Sequence, residues 1–126
     1  MARGLLPTGS ILGQYELVRV LGEGGMGAVY EATHRGLDKR VAIKTLLPDL
    51  LGNDEARRRF RREAKASASI EHPNVVRVTD FGVAGDWAYL VMELLQGETL
   101  ADRLGRLGKM PVYEVLDVFL PTLEGL

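Results

Sequence analysis

No cysteine occurs anywhere in the 126 residues, which excludes a disulfide framework and any thiolate metal site and suits a reducing cytoplasm. An excess of charge of either sign is also missing. Sixteen Lys and Arg face 17 Asp and Glu for a formal net charge of −1, so no global field draws the chain to nucleic acid or to an anionic membrane. Long apolar runs are absent too. The run from Ala88 to Met92 stops at Glu93, far short of the roughly 20 residues that span a bilayer. Near the start, Leu5 and Leu6 run straight into Pro7, Gly9 and Ser10, which leaves no stretch of signal-peptide length. There is no internal repeat and no low-complexity segment. What remains, 46% hydrophobic and 26% charged residues, is the composition of one soluble globular domain.

From Tyr15 to Met92 short extended segments alternate with Gly and Asp. The pattern predicts five strands, Tyr15 to Leu21, Ala28 to Thr33, Arg40 to Leu46, Val75 to Phe81 and Trp87 to Glu93, in an antiparallel sheet with several hairpin joins. Residues 1–14 read as a leader. Between the third and fourth strands, Asn53 to Ile70 carries a capping Asn53, acidic Asp54 and Glu55 in the first turn, and an apolar stripe of Phe60, Ala64, Ser67 and Ile70, which predicts a helix. Glu63 falls beside that stripe, and an inward carboxylate needs a cation to offset its desolvation. After Gly97, Leu100, Leu104, Leu107, Val112, Val115, Leu116, Phe119, Leu120 and Leu123 predict further helices with apolar faces. Pro121 is expected to kink or restart the last one, and the chain reads as ending within an element.

The strongest motif is Gly22-Glu23-Gly24-Gly25-Met26-Gly27-Ala28-Val29, in which Gly22, Gly24 and Gly27 fit G-x-G-x-x-G. A dinucleotide fingerprint requires a helix to open at the last glycine, yet Ala28-Val29-Tyr30-Glu31-Ala32-Thr33 has strand character. A Walker loop requires lysine after that glycine, where Ala28 stands. The surviving reading is a glycine-rich hairpin whose bare backbone can approach phosphate oxygens. A plain hairpin without a ligand stays open on the loop alone.

On the next strand, Val41-Ala42-Ile43-Lys44 puts Ala42 and Lys44 on one face by period-two alternation. A small Ala42 with an apolar Val29 can sandwich a flat base while Lys44 reaches toward phosphates as a point charge. Lys44 is also the cation that Glu63 lacks. An ion pair between them would fix the ammonium and couple helix position to nucleotide binding.

Together these residues resemble the protein kinase family, and specifically bacterial serine/threonine kinases of the eukaryotic type. The resemblance runs from about Tyr15 to Leu126 and includes Leu21 to Val29, Val41 to Lys44, Arg62-Glu63-Ala64, His72-Pro73-Asn74 and Tyr89-Leu90-Val91-Met92-Glu93. It implies an α+β fold: an ATP-binding N-terminal lobe over 15–95, with a five-stranded antiparallel sheet and one regulatory helix, and the first helices of an incomplete C-terminal lobe over 96–126. It also implies that Lys44 and Glu63 serve catalysis and that Leu21, Gly22, Glu23, Gly24, Gly25, Met26, Gly27, Ala28, Val29, Ala42 and Lys44 surround ATP. Met92 would guard the back of the pocket, the backbones of Glu93 and Leu95 would bond the adenine edge, and Glu98 or Thr99 would lie near the ribose.

Asp80-Phe81-Gly82 spells the family's magnesium-binding tripeptide, but it precedes the hinge instead of following a catalytic loop, so no metal ligand is assigned. His-Arg-Asp and Ala-Pro-Glu do not occur. The chain is therefore expected to be part of a longer enzyme and inactive alone, with ATP as cofactor, magnesium ligands elsewhere, a protein substrate and a cytoplasmic location. The alternative is a non-catalytic nucleotide-binding or regulatory module. Five arginines within 57–62 also raise a nucleic-acid contact, although a solvated helix face suits the net charge better.

Overall fold

The computed structural model describes residues 5–24, 27–46 and 53–126. Among the described residues there are six strands, β1 (Ile11–Leu12), β2 (Tyr15–Gly24), β3 (Gly27–His34), β4 (Lys39–Leu46), β5 (Val78–Ala84) and β6 (Trp87–Met92), and three helices, α1 (Asp54–Ala68), α2 (Leu100–Leu107) and α3 (Val112–Gly125). The strands form one antiparallel sheet in the order β1-β2-β3-β4-β6-β5.

The expected count of five strands is corrected to six. β1 is only two residues long and pairs Ile11 with Glu16 and Leu12 with Tyr15, too short to leave a period-two signature. The leader is likewise more than an appendage over its described part. Leu12 is buried, Leu5 and Leu6 pack against the core, and the Leu6 amide donates to the Tyr30 hydroxyl at 2.7 Å. β5 starts at Val78 instead of Val75. The preceding residues are turned by His72, whose Nδ1 accepts from the Asn74 amide and whose carbonyl accepts from the Val75 amide.

Alternation sorts the sheet into two faces. One carries Leu17, Tyr30, Val41, Ile43, Tyr89 and Val91, all buried, and Tyr15 and Leu12 complete this core. The sheet curls around it so far that Tyr15 of β2 meets Tyr89 of β6, with ring centroids 6.4 Å apart, and its hydroxyl donates to Asp80 of β5 at 3.0 Å. Buried Thr45 satisfies its hydroxyl on the Ala28 carbonyl at 3.3 Å. The other face receives α1 at one end. Phe60 packs edge-on against Phe81 at 6.2 Å, among Leu46, Val83, Ala88 and Leu90.

The start of α1 matches its sequence signature. The Asn53 side chain accepts from the Ala56 amide at 2.8 Å, Asp54 and Glu55 complement the positive end of the helix dipole, and Lys65 complements the other end. Its last residue is Ala68, which leaves Ile70 outside the helix and exposed. α3 runs through Pro121 without restarting.

Candidate functional site

The pairing register builds the face opposite the core as rows across the sheet, because directly opposed residues share a face. One row runs Gly22, Val29, Lys44, Leu90, Phe81, and the next runs Arg19, Glu31, Ala42, Met92, Val78. Sequence alternation placed Ala42 and Lys44 together. Only the register adds Val29 beside Lys44 and Met92 beside Ala42. Ala42 is buried, Val29 and Met92 are half-buried, and Lys44 is exposed.

The glycine turn closes between Gly24 and Gly27, which pair with each other; Gly25 and Met26 lie outside the described residues. Two glycines here differ in kind. Gly27 has φ of +150°, and a Cβ on it would collide with the Thr45 carbonyl, so the fold itself requires glycine. Around Gly22 an added Cβ meets nothing within 4 Å, so packing does not require it. Ala28 turns its side chain into the core and is buried, while Glu23 is exposed. Of Ala28, then, only the backbone faces the turn.

Where the second row begins, a cleft of about 430 Å³ is lined by Arg19, Leu21, Glu31, Leu94, Leu95, Gln96 and Gly97. Leu21 and Leu95 are expected there; Arg19, Glu31 and Gln96 are residues the sequence reading missed, since no motif marks them. The Glu93 amide donates to the Arg77 carbonyl at 3.1 Å, and the Glu93 side chain accepts from the Arg77 amide at 3.0 Å. Neither the Glu93 carbonyl nor the Leu95 amide has a partner among the described residues. That leaves one acceptor and one donor, two residues apart, beside the cleft.

The expected Lys44–Glu63 ion pair is not formed. No contact within 4.0 Å joins them, and Glu63 is exposed instead of inward. The buried stripe of α1 is centred on Phe60 and Ala64, one turn apart, and Glu63 lies about 60° round the helix from Phe60 at 100° per residue. It therefore flanks the contact.

A protein-family model described as protein kinase domain matches residues 15–126. The chain belongs to that family. Among its relatives, a probable serine/threonine-protein kinase of Clostridium perfringens is 47% identical over 108 residues, covering 85% of this chain and 16% of the relative. The serine/threonine-protein kinase pkn2 of Myxococcus xanthus is 44% identical over 123 residues, covering 97% of this chain and 15% of the relative. The crystal structure of the PknI kinase domain of Mycobacterium tuberculosis superposes with a TM-score of 0.81 at 31% identity, covering 96% of this chain and 50% of that one. This chain thus spans about a sixth of those curated relatives and half of the solved kinase domain.

In this kinase domain the tripeptide Asp80-Phe81-Gly82 is occupied by the fold. Asp80 pairs with Val91, on the face away from Lys44, where it accepts from Tyr15 at 3.0 Å and from the Phe81 amide at 2.8 Å. Phe81 packs on Phe60, and a side chain at position 82 would strike the Tyr89 ring. Each residue type therefore has a packing or hydrogen-bonding reason. Burial first, then the hydrogen bond and charge of Asp80, push the Tyr15 hydroxyl up to about 12; burial and Asp80 also raise Tyr89.

Of the two ribose candidates, Glu98 is engaged by Arg106 at 2.5 Å and Arg103 at 3.3 Å. The Arg106 hydrogen bond holds its carboxyl below the ordinary range. Thr99 caps α2, accepting from the Asp102 amide at 3.0 Å, and its hydroxyl proton is left to donate. Arg57, Arg58 and Arg61 of α1 line a separate cleft of about 310 Å³ with Asp54.

Proposed function

We propose that this chain is the nucleotide-binding part of a serine/threonine protein kinase, with residues 15–95 forming the ATP-binding lobe and 96–126 the exit from the hinge and the start of the second lobe. The observation that carries the reading is the row Gly22, Val29, Lys44: an open glycine backbone, an apolar platform and an ammonium on one face, next to a cleft at the end of β6.

In this reading the adenine lies between Val29 and Ala42, with Leu21 covering it and Met92 at the rear. Its edge meets the Glu93 carbonyl and the Leu95 amide, which recognise hydrogen-bond pattern without side chains. The glycine turn, Gly22 to Gly27, then lies over the phosphates, and Lys44 offsets their charge. Thr99 is better placed than Glu98 to donate to a ribose oxygen. Glu63 completes the site when α1 shifts to pair it with Lys44, which makes the helix a switch as well as a wall. Magnesium would supply further phosphate neutralisation, held by residues outside these 126, as would the base that accepts the hydroxyl proton. ATP consumption suits a cytoplasmic location, and the substrate is a protein hydroxyl.

Titration calorimetry with magnesium-ATP on the intact chain and on Lys44→Ala tests this reading. Measurable binding that falls at least about tenfold in the variant, roughly 1.4 kcal/mol, is the expected result. Equal binding by both, or none by a folded chain, counts against it.

A further inference from the structure

Strand β2 is irregular where it borders the cleft. Its pairing with β3 slips twice, between Leu17 and Arg19 and again between Val20 and Gly22, so Val18 and Leu21 are the extra residues of two bulges. A bulge leaves one residue unpaired and re-aims it. Leu21 is such a residue, and it lines the cleft. Between the bulges only two pairs remain, Arg19 with Glu31 and Val20 with Tyr30.

Side chains lace this weak stretch of ladder. Glu31 presents one carboxylate oxygen to Arg19 of β2 at 3.2 Å and the other to Arg40 of β4 at 2.5 Å. Its side chain is only 14% exposed, against 64% and 53% for the arginines. One carboxylate thus ties three adjacent strands at the mouth of the cleft. Arg19 and Glu31 belong to the row that continues through Ala42 to Met92.

We infer that Glu31 is a positioning residue for the nucleotide base: by clamping Arg19 and Arg40 it fixes the doubly bulged segment of β2 and so holds Leu21 over the cleft. This rests on the nucleotide reading above. The action is on the base end of the ligand and is indirect, passing through Leu21, so it leaves the phosphate end at Lys44 untouched.

The test is a double-variant cycle in the intact chain using Glu31→Gln, Leu21→Ala and the combination, with magnesium-ATP, adenosine and inorganic tripolyphosphate as probes. Circular dichroism and melting temperature establish that each variant is folded. Glu31→Gln is expected to weaken ATP and adenosine by about three- to tenfold, to leave tripolyphosphate unchanged, and to add nothing in the Leu21→Ala background, because the two residues act as one unit. Should Glu31→Gln fail to fold, Arg19→Gln and Arg40→Gln, each removing one bond, carry the same cycle. Full additivity with Leu21→Ala, an equal loss for tripolyphosphate, or no loss while Lys44→Ala still weakens ATP overturns the inference alone. Absence of ATP binding by the unsubstituted chain overturns the nucleotide reading and the inference with it.

Discussion

Gly22 and Gly27 stand in one turn and answer to different constraints. Gly27 combines φ of +150° with a backbone carbonyl where its Cβ would go, so Gly27→Ala should destabilise the fold by about 2 kcal/mol or more, from strain and overlap together. Gly22 has open space, so Gly22→Ala should leave the melting temperature within a few degrees while weakening ATP, whose phosphates need close backbone approach. Melting curves and ATP titrations of the two variants check this split. A motif match treats both glycines alike; the distinction comes from Thr45, a residue 18 positions along the chain from Gly27. The same logic governs Asp80-Phe81-Gly82. Its letters match a metal motif, and the order of elements alone argues against that reading. The contacts then supply a reason for each letter: Tyr15, Phe60 and Tyr89.

At the scale of elements, α1 was legible because its signals are local: the Asn53 cap, the acidic first turn and the Phe60–Ala64 stripe all act within a few residues. What α1 packs against is not local. Phe60 reaches Phe81, Ala88 and their neighbours across the sheet, and Phe60→Ala should cost about 3 kcal/mol through lost burial and the cavity left behind. Denaturant unfolding of the variant measures that loss. Glu63 illustrates the limit of periodicity. A position some 80° off the centre of a stripe is inward or outward according to a small rotation of the helix, and that rotation is set by how Phe60 and Ala64 seat on the sheet. β1 and the two bulges of β2 escaped notice for a related reason: a two-residue pairing and a one-residue slip change almost nothing in the alternation pattern.

At the scale of the whole molecule, the hydrogen bond from Tyr15 to Asp80 ties β2 to β5, the edge strand at the far end of the curled sheet. A phenol raised from 10.0 to about 12 binds its proton more tightly when folded. Below pH 10 both folded and unfolded chains keep the proton and the contribution is complete. Between about 10 and 12 the unfolded chain ionises and the folded chain does not, so stability falls as pH rises, and Tyr89 acts in the same direction. The melting temperature should drop across that interval, and Tyr15→Phe should flatten the drop while costing about 1 kcal/mol at neutral pH from the lost bond. Absorbance titration of the tyrosines, folded and in denaturant, provides the check. The helical end behaves differently: Val112, Leu116, Phe119, Leu120 and Leu123 are all exposed, so α3 contributes its amphipathic pattern to the fold without burying it here.

By itself the sequence determined the antiparallel strands, the capped helix, the glycine hairpin and the placing of Ala42 with Lys44, because alternation, caps and turn residues act over a few positions. Tertiary structure alone decided which strands neighbour one another, which residues stand in a row across them, that Glu31 gathers Arg19 and Arg40 at the cleft, and that Lys44 and Glu63 stay apart. Those outcomes depend on pairing register and on the seating of a helix on a curled sheet. Both are set by packing between residues far apart in the chain, where no local pattern reaches.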